Sequence, residues 1–290
     1  MRKLLLGTAV LALTASGSAF AADIPVKAVK APIVAPVEYS WTGCYLGING
    51  GGKWARDNAL VNTTPVGVAG AAPTIGLSPL PLNDTPSTWV AGFQGGCQYQ
   101  TGHVVFGIEG DFDWNHWNGD RTVSAADLVA LRAPLFIPGD TFSITSRWQG
   151  SLRGRLGWAW DRFLIYGTGG IGFTSVDFTS NWIPTVAGGF AFPGTFVDDR
   201  QTLAGPTVGA GFEYAFWNNV SLGVEGRYTW YGSHTFNNGA VAAIATGTPA
   251  APVFIFSPTS SSINLNTWEV TARLNWRFNW WAPTPVVSKY

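Results

Sequence analysis

Between residues 266 and 278 the chain alternates strictly. Trp268, Val270, Ala272, Leu274, Trp276 and Phe278 make one row, and Glu269, Thr271, Arg273, Asn275 and Arg277 make the other. Period two is the period of a β-strand, so this segment has one apolar face and one charged face. Seven earlier segments repeat the pattern, over about residues 41–54, 88–100, 103–114, 146–160, 162–176, 203–217 and 219–231. No segment between them reads as a helix that could cover a sheet. The apolar rows therefore need another apolar medium, and a lipid bilayer supplies one.

The links support this reading. Residues 55–87, 115–145, 177–202 and 232–265 are long segments of 26 to 34 residues, and they alternate with turns as short as Thr101-Gly102, Asp161 and Asn218. Long external loops alternating with short periplasmic turns are the pattern of an up-and-down barrel in an outer membrane. Eight strands, an even number, put both chain ends on the periplasmic side. The expected fold is all-β: a closed antiparallel eight-stranded transmembrane β-barrel over residues 41–278.

Composition agrees. Charged residues are 12% of the 290-residue chain, against about 25% in a soluble domain, while Gly (36), Phe (18) and Trp (15) are abundant. After the leader no apolar run reaches the length of a membrane helix. Residues 1–21 read as a cleaved secretory signal: Arg2 and Lys3, an apolar stretch over 4–13, then Ala19-Phe20-Ala21. Residues 22–40 follow as a Pro-rich periplasmic lead-in, and 279–290 form a tail. Without Arg2 and Lys3 the chain carries 15 basic and 17 acidic residues, a balance that does not suit a nucleic-acid partner. The expected partners are outer-membrane lipids, lipopolysaccharide and the barrel assembly machinery.

The polar rows carry the candidate chemistry. Acids predicted to face inward are Glu109, Asp111, Asp113, Glu213, Glu225 and Glu269. Bases are Arg147, Arg153, Arg155, Arg227, Arg273 and Arg277, leaving aside Lys53 near the outer end. The interior of an eight-stranded barrel is only wide enough for side chains to fill. Buried charges need partners, and the planar fork of Arg suits carboxylates. These rows therefore predict an ion-paired filling rather than a wide pore. A porin for small hydrophilic solutes is the alternative, and a soluble barrel with an internal ligand is opposed by the charged lumen.

Other motifs yield less. Glu109 and Asp111 share a face, but strand period alone produces that spacing. His103, His116 and His234 show no metal-ligand or triad spacing. Residues 47–53 resemble a phosphate-binding loop but lack its hydroxyl and helix, and 167–172 match G-x-G-x-x-G inside a strand. No enzyme activity, catalytic residue, metal or cofactor is expected. Cys44 and Cys97 lie on adjacent antiparallel strands, which leaves open both a disulfide and a reduced pair. Trp41, Trp54, Trp89, Trp114, Trp117, Trp158, Trp160, Trp217, Trp230 and Trp276 lie near strand ends, as interfacial girdles require.

Several stretches resemble the small outer-membrane β-barrel family of alphaproteobacteria, the porin-family or opacity-type surface antigens. They are W-T-G-C-Y-L-G at 41–47, F-L-I-Y-G-T-G-G at 163–170, V-G-A-G-F-E-Y-A-F at 208–216 and R-L-N-W-R-F at 273–278. The resemblance implies surface exposure, envelope integrity and, in some members, small-solute passage. It also implies that Trp276 and Phe278 form the signal read by the assembly machinery. The chain departs from the family pattern at Cys44, where an aromatic is usual, and in continuing past Phe278.

Overall fold

A computed structural model of the protein describes residues 39–63, 80–81, 87–127, 137–187, 190–248 and 251–278. The leader, most of the lead-in and the tail lie outside the described residues. Eight long strands dominate: β1 (Gly43–Thr63), β2 (Ser87–Thr101), β3 (Val104–Thr122), β4 (Thr141–Trp160), β5 (Phe163–Trp182), β6 (Thr195–Ala215), β7 (Val220–Thr248) and β8 (Ala251–Phe278). Each pairs antiparallel with the next, and β8 returns to β1 from Cys44↔Phe278 to Thr63↔Thr259. The sheet is a closed ring with no free edge along that seam. Cys44 and Cys97 face each other in the β1–β2 ladder and are joined in a disulfide.

Within the ring the rows face as their chemistry requires. Leu152 is 64% exposed while its neighbour Arg153 is 3% exposed, and the same contrast runs through every strand. On β8 the outward row from Trp268 to Phe278 spans ten residue-to-residue steps; at ~3.3 Å each and a tilt of ~40° this makes an apolar band ~25 Å tall.

The strands run farther than the sequence pattern suggested. Much of the four stretches read as long loops is strand: residues 55–63, 115–122, 141–145, 177–182, 195–202, 232–248 and 251–265 all extend the ring. The rows exchange character there. Above Trp268 the outward row of β8 becomes Asn266 and Asn264, and the inward row becomes Leu265 and Ile263. The same exchange brings Phe142, Ile144, Val176, Phe178 and Phe236 inward, where they form an apolar core with Trp117 and Trp182. Phe178 stacks on Phe236 at 5.8 Å between ring centroids. In this upper part water surrounds the wall, so the apolar face turns to the interior.

Two tryptophans assigned to the girdles lie elsewhere. Trp117 is 2% exposed within the upper core. Trp41 is fully buried at the periplasmic mouth, against Val105, Ala159, Leu164, Tyr166 and Ala215. Polar contacts fix it there: its backbone N–H donates to Gln100 Oε1 at 2.7 Å, and its indole N–H donates to the Asp161 carbonyl at 3.0 Å. The other eight assigned tryptophans are exposed on the wall. Val220, in phase with the outward Leu222 and Val224 of β7, is buried beside the short turn it follows.

The upper core generates a prediction. Phe178→Ala removes a buried ring and is expected to cost about 3–5 kcal/mol of unfolding free energy, read in urea in detergent micelles. Ser143→Ala, on the outer polar row, is expected to stay within about 0.5 kcal/mol. Equal small effects would contradict an apolar core at that level.

Candidate functional site: the charged lumen

The interior of the ring has three layers between its mouths. An apolar core lies in the upper part, and Trp41, packed edge to face with Tyr39, lies at the lower mouth. Between them lies a polar layer made by the inward rows of all eight strands. The sequence supplies its space: the inward rows carry Gly47, Gly92, Gly96, Gly209, Gly211 and Gly223 among the long charged residues. A Cβ at Gly209 would come within 2.7 Å of Thr168 Oγ1, and one at Gly92 within 2.4 Å of Asp113 Oδ1. These positions have no room for a side chain because backbone carbonyls and polar or aromatic side chains of other strands already occupy it.

Arg153 sits at the centre. Its Nη2 donates to Glu109 Oε1 at 2.6 Å and Asp111 Oδ2 at 3.1 Å; its Nη1 donates to Glu225 and, at 3.1 Å, to Thr168 Oγ1. Arg273 bridges the same two glutamates, Glu109 and Glu225. Arg155 donates to Glu213 Oε1 at 2.6 Å and to Tyr45 Oη at 3.0 Å, with its guanidinium 3.6 Å from the Tyr166 ring centroid. Arg227 reaches Glu269 at 2.5 Å, Asp111 at 2.8 Å and Asp113 at 3.2 Å. These links cross the lumen as well as joining neighbouring strands. Arg227 on β7 meets acids of β3, and Arg153 on β4 meets Glu225 on β7. Such charge-assisted bonds are short and directional.

Two of the assigned bases behave differently. Arg147 is exposed on the outer wall. The register explains this: the β4–β5 ladder jumps between Thr145 and Gln149, and the β3–β4 ladder between Trp114 and Trp117. The extra residue of a β-bulge breaks the alternation, so Ser146 and Gln149 both point inward while Arg147 and Trp148 lie between them. Lys53 takes up the charge balance in the lumen. It is buried, and its Nζ lies 2.5 Å from Gln149 Oε1. Arg277 is inward, but among the described residues its partners are Tyr39, Trp41 and the Ser40 carbonyl rather than a carboxylate. Its guanidinium stands 4.4 Å from the Trp41 ring centroid, a cation–π contact, and donates to Tyr39 Oη at 2.6 Å.

Sequence reasoning did not include Tyr45 and Tyr166 in the charge network, although each hydroxyl donates to a glutamate, Glu109 and Glu225 respectively. Their position on the inward rows was the available signal. Among the charges remains a cavity of about 10 Å³ lined by Asn49, Asp111, Asp113, Arg227 and Thr271, among others. That is room for one water. Asn49 Oδ1 has no protein partner, which suits such a water.

A closed antiparallel ring of eight strands, apolar outside and ion-paired inside, defines a transmembrane β-barrel of the outer-membrane class. Residues 8–278 match the family described as outer membrane protein beta-barrel domain, and the chain belongs to it. It is 33% identical over 219 residues to the 31 kDa outer-membrane immunogenic protein of Brucella melitensis biotype 1, covering 73% of this chain and 80% of that one. Identity to the 25 kDa outer-membrane immunogenic protein of Brucella abortus is 26% over 241 residues, covering 82% and 88%. A 22 kDa outer membrane protein of Rhizobium leguminosarum bv. viciae shares 30% over 142 residues, or 49% and 52% of the two chains. Among solved structures, OprG of Pseudomonas aeruginosa aligns with a TM-score of 0.43 at 11% identity, covering 83% of this chain and 99% of that one. The protein is thus an alphaproteobacterial-type small barrel of the Gram-negative outer membrane.

The network predicts an asymmetry between single and paired substitutions. Arg153→Met leaves Glu109, Asp111 and Glu225 short of a cation, at an expected cost of about 3–5 kcal/mol. Adding Glu225→Gln removes one of the stranded charges and is expected to recover part of the loss. Urea unfolding in micelles measures both. A neutral Arg153→Met would contradict the network's role in stability.

Proposed function

We propose that this protein is a structural and surface component of the outer membrane, with a lumen filled by its own side chains. The observation that carries this reading is the crossing of the lumen by Arg153, Arg227 and Arg273, each held by at least two carboxylates from other strands. A hydrated ion passing this layer would have to part several of those pairs together. The apolar core above and Trp41 below add two further closures.

The two Brucella relatives are named as outer-membrane immunogenic proteins, which supports surface presentation of the extracellular hairpins. The same reading gives Trp276 and Phe278 the role of assembly signal. Both are outward aromatics at the periplasmic end of the last strand, and Phe278 pairs with Cys44 at the start of the closing seam. The alternative is passage of small hydrophilic solutes. It draws on the polar character of the middle layer alone.

Recording in planar bilayers tests the choice. The purified, folded protein is expected to give no stable conductance steps above baseline. Regular, long-lived steps that disappear when the barrel is unfolded by heat would overturn the filled-lumen reading in favour of the porin.

A further inference from the structure

Two β-bulges converge on one spot of the outer wall. Between the pairs Trp114↔Trp148 and Trp117↔Ser146, residues 115–116 of β3 face Arg147 of β4. On the other side of β4, the jump between Thr145 and Gln149 opens the ladder at the same residue. Bulges re-aim side chains: here Arg147 is turned to the exterior, beside His116, which the unbroken alternation of β3 also exposes.

The level of this spot on the barrel is well marked. Trp148 and Trp114 lie on the outward face at the ladder rung just below, with Phe112 stacked on Trp148 at 6.0 Å. Trp89, Trp54 and Trp268 continue the aromatic belt on β2, β1 and β8. Above Arg147 the outward residues are polar: Thr145 and Ser143 on β4, Asn118 and Asp120 on β3. Arg147 thus stands where the apolar band ends on the extracellular side, the depth of outer-leaflet headgroups.

Among the described residues Arg147 makes no ion pair. Another outward arginine shows the contrast. Arg200 on β6, also outward, is held by Asp177 through Nε at 2.5 Å and Nη2 at 2.8 Å, so its charge is already met. Among the described residues Arg147 therefore presents an uncommitted five-donor fork at the water-lipid boundary, on the rung above Trp114 and Trp148. A guanidinium of that kind pairs bidentately with phosphate.

We propose that Arg147, assisted by His116 and seated above Trp114 and Trp148, binds a phosphate group carried by a lipid of the outer leaflet. The occupant is lipid-borne because the site is open toward the bilayer and bordered by the aromatic belt. The acyl chains would lie down the apolar wall while the phosphate meets the guanidinium. The inference rests on the barrel's orientation and is independent of whether the lumen conducts.

The test uses the full mature barrel in neutral detergent and follows its thermal unfolding as lipopolysaccharide is added. Intact lipopolysaccharide is expected to raise the unfolding temperature of the wild type, while its dephosphorylated form and inorganic phosphate are expected to do so weakly or not at all. Arg147→Gln is expected to need about five-fold more lipid for the same shift, the effect of one basic side chain at an anionic surface. Arg147→Lys should keep most of the response, and Arg200→Gln should change it little. Arg147 is exposed, so the variant should retain the folded gel mobility that certifies the comparison. An unchanged lipid response in Arg147→Gln would overturn the proposal. So would equal stabilisation by the dephosphorylated lipid, or by inorganic phosphate.

Discussion

In hydrocarbon, each backbone N–H or C=O without a partner costs several kcal/mol. The β1–β8 seam is where this chain meets that constraint. With strands pairing in sequence order, only the return of the last strand to the first leaves no open edge in the bilayer. Much else follows from the seam. A ring of eight strands has an interior of fixed and narrow width. That interior must be filled, and whatever fills it must satisfy itself without bulk water.

In the proposed reading, the buried ion pairs are part of that filling. Arg and carboxylate side chains are long enough to span the lumen, and interior glycines give them room. Their attraction does not make them inherently more stabilising than a well-packed apolar core, because desolvating each ion is costly. What the network provides is directional linkage: β3, β4, β7 and β8 are joined across the barrel through Glu109, Arg153, Glu225 and Arg273. Above the bilayer the same ring is filled by Phe142, Phe178, Phe236 and their neighbours. One sheet thus carries two opposite amphipathic patterns, each set by the solvent outside it.

The transmembrane half was legible because its periodicity is regular. On β8, Glu269, Arg273 and Arg277 mark the inward face at first reading. The extracellular half was harder to read. There the rows keep their direction but exchange chemistry, and short runs such as Ser262-Ile263-Asn264-Leu265 resemble loop composition more than strand. Arg147 was misplaced for a related reason: alternation predicts direction only while the ladder is unbroken, and a bulge adds a residue without any unambiguous sign in the sequence. Trp41 precedes the first strand, so period two could not locate it. Its burial depends on Gln100 and Asp161, which are far away in the chain.

The exchange of rows on β4 gives the most direct measurement of the central claim. Nitroxide labels at Leu152→Cys, Ser143→Cys and Ile144→Cys, in barrels reconstituted into lipid, report contact with oxygen and with a water-soluble nickel chelate. The account predicts strong relaxation by oxygen at 152, by the chelate at 143, and by neither at 144. A label at 144 that meets the chelate as freely as one at 143, or a label at 143 that behaves like the one at 152, would contradict it.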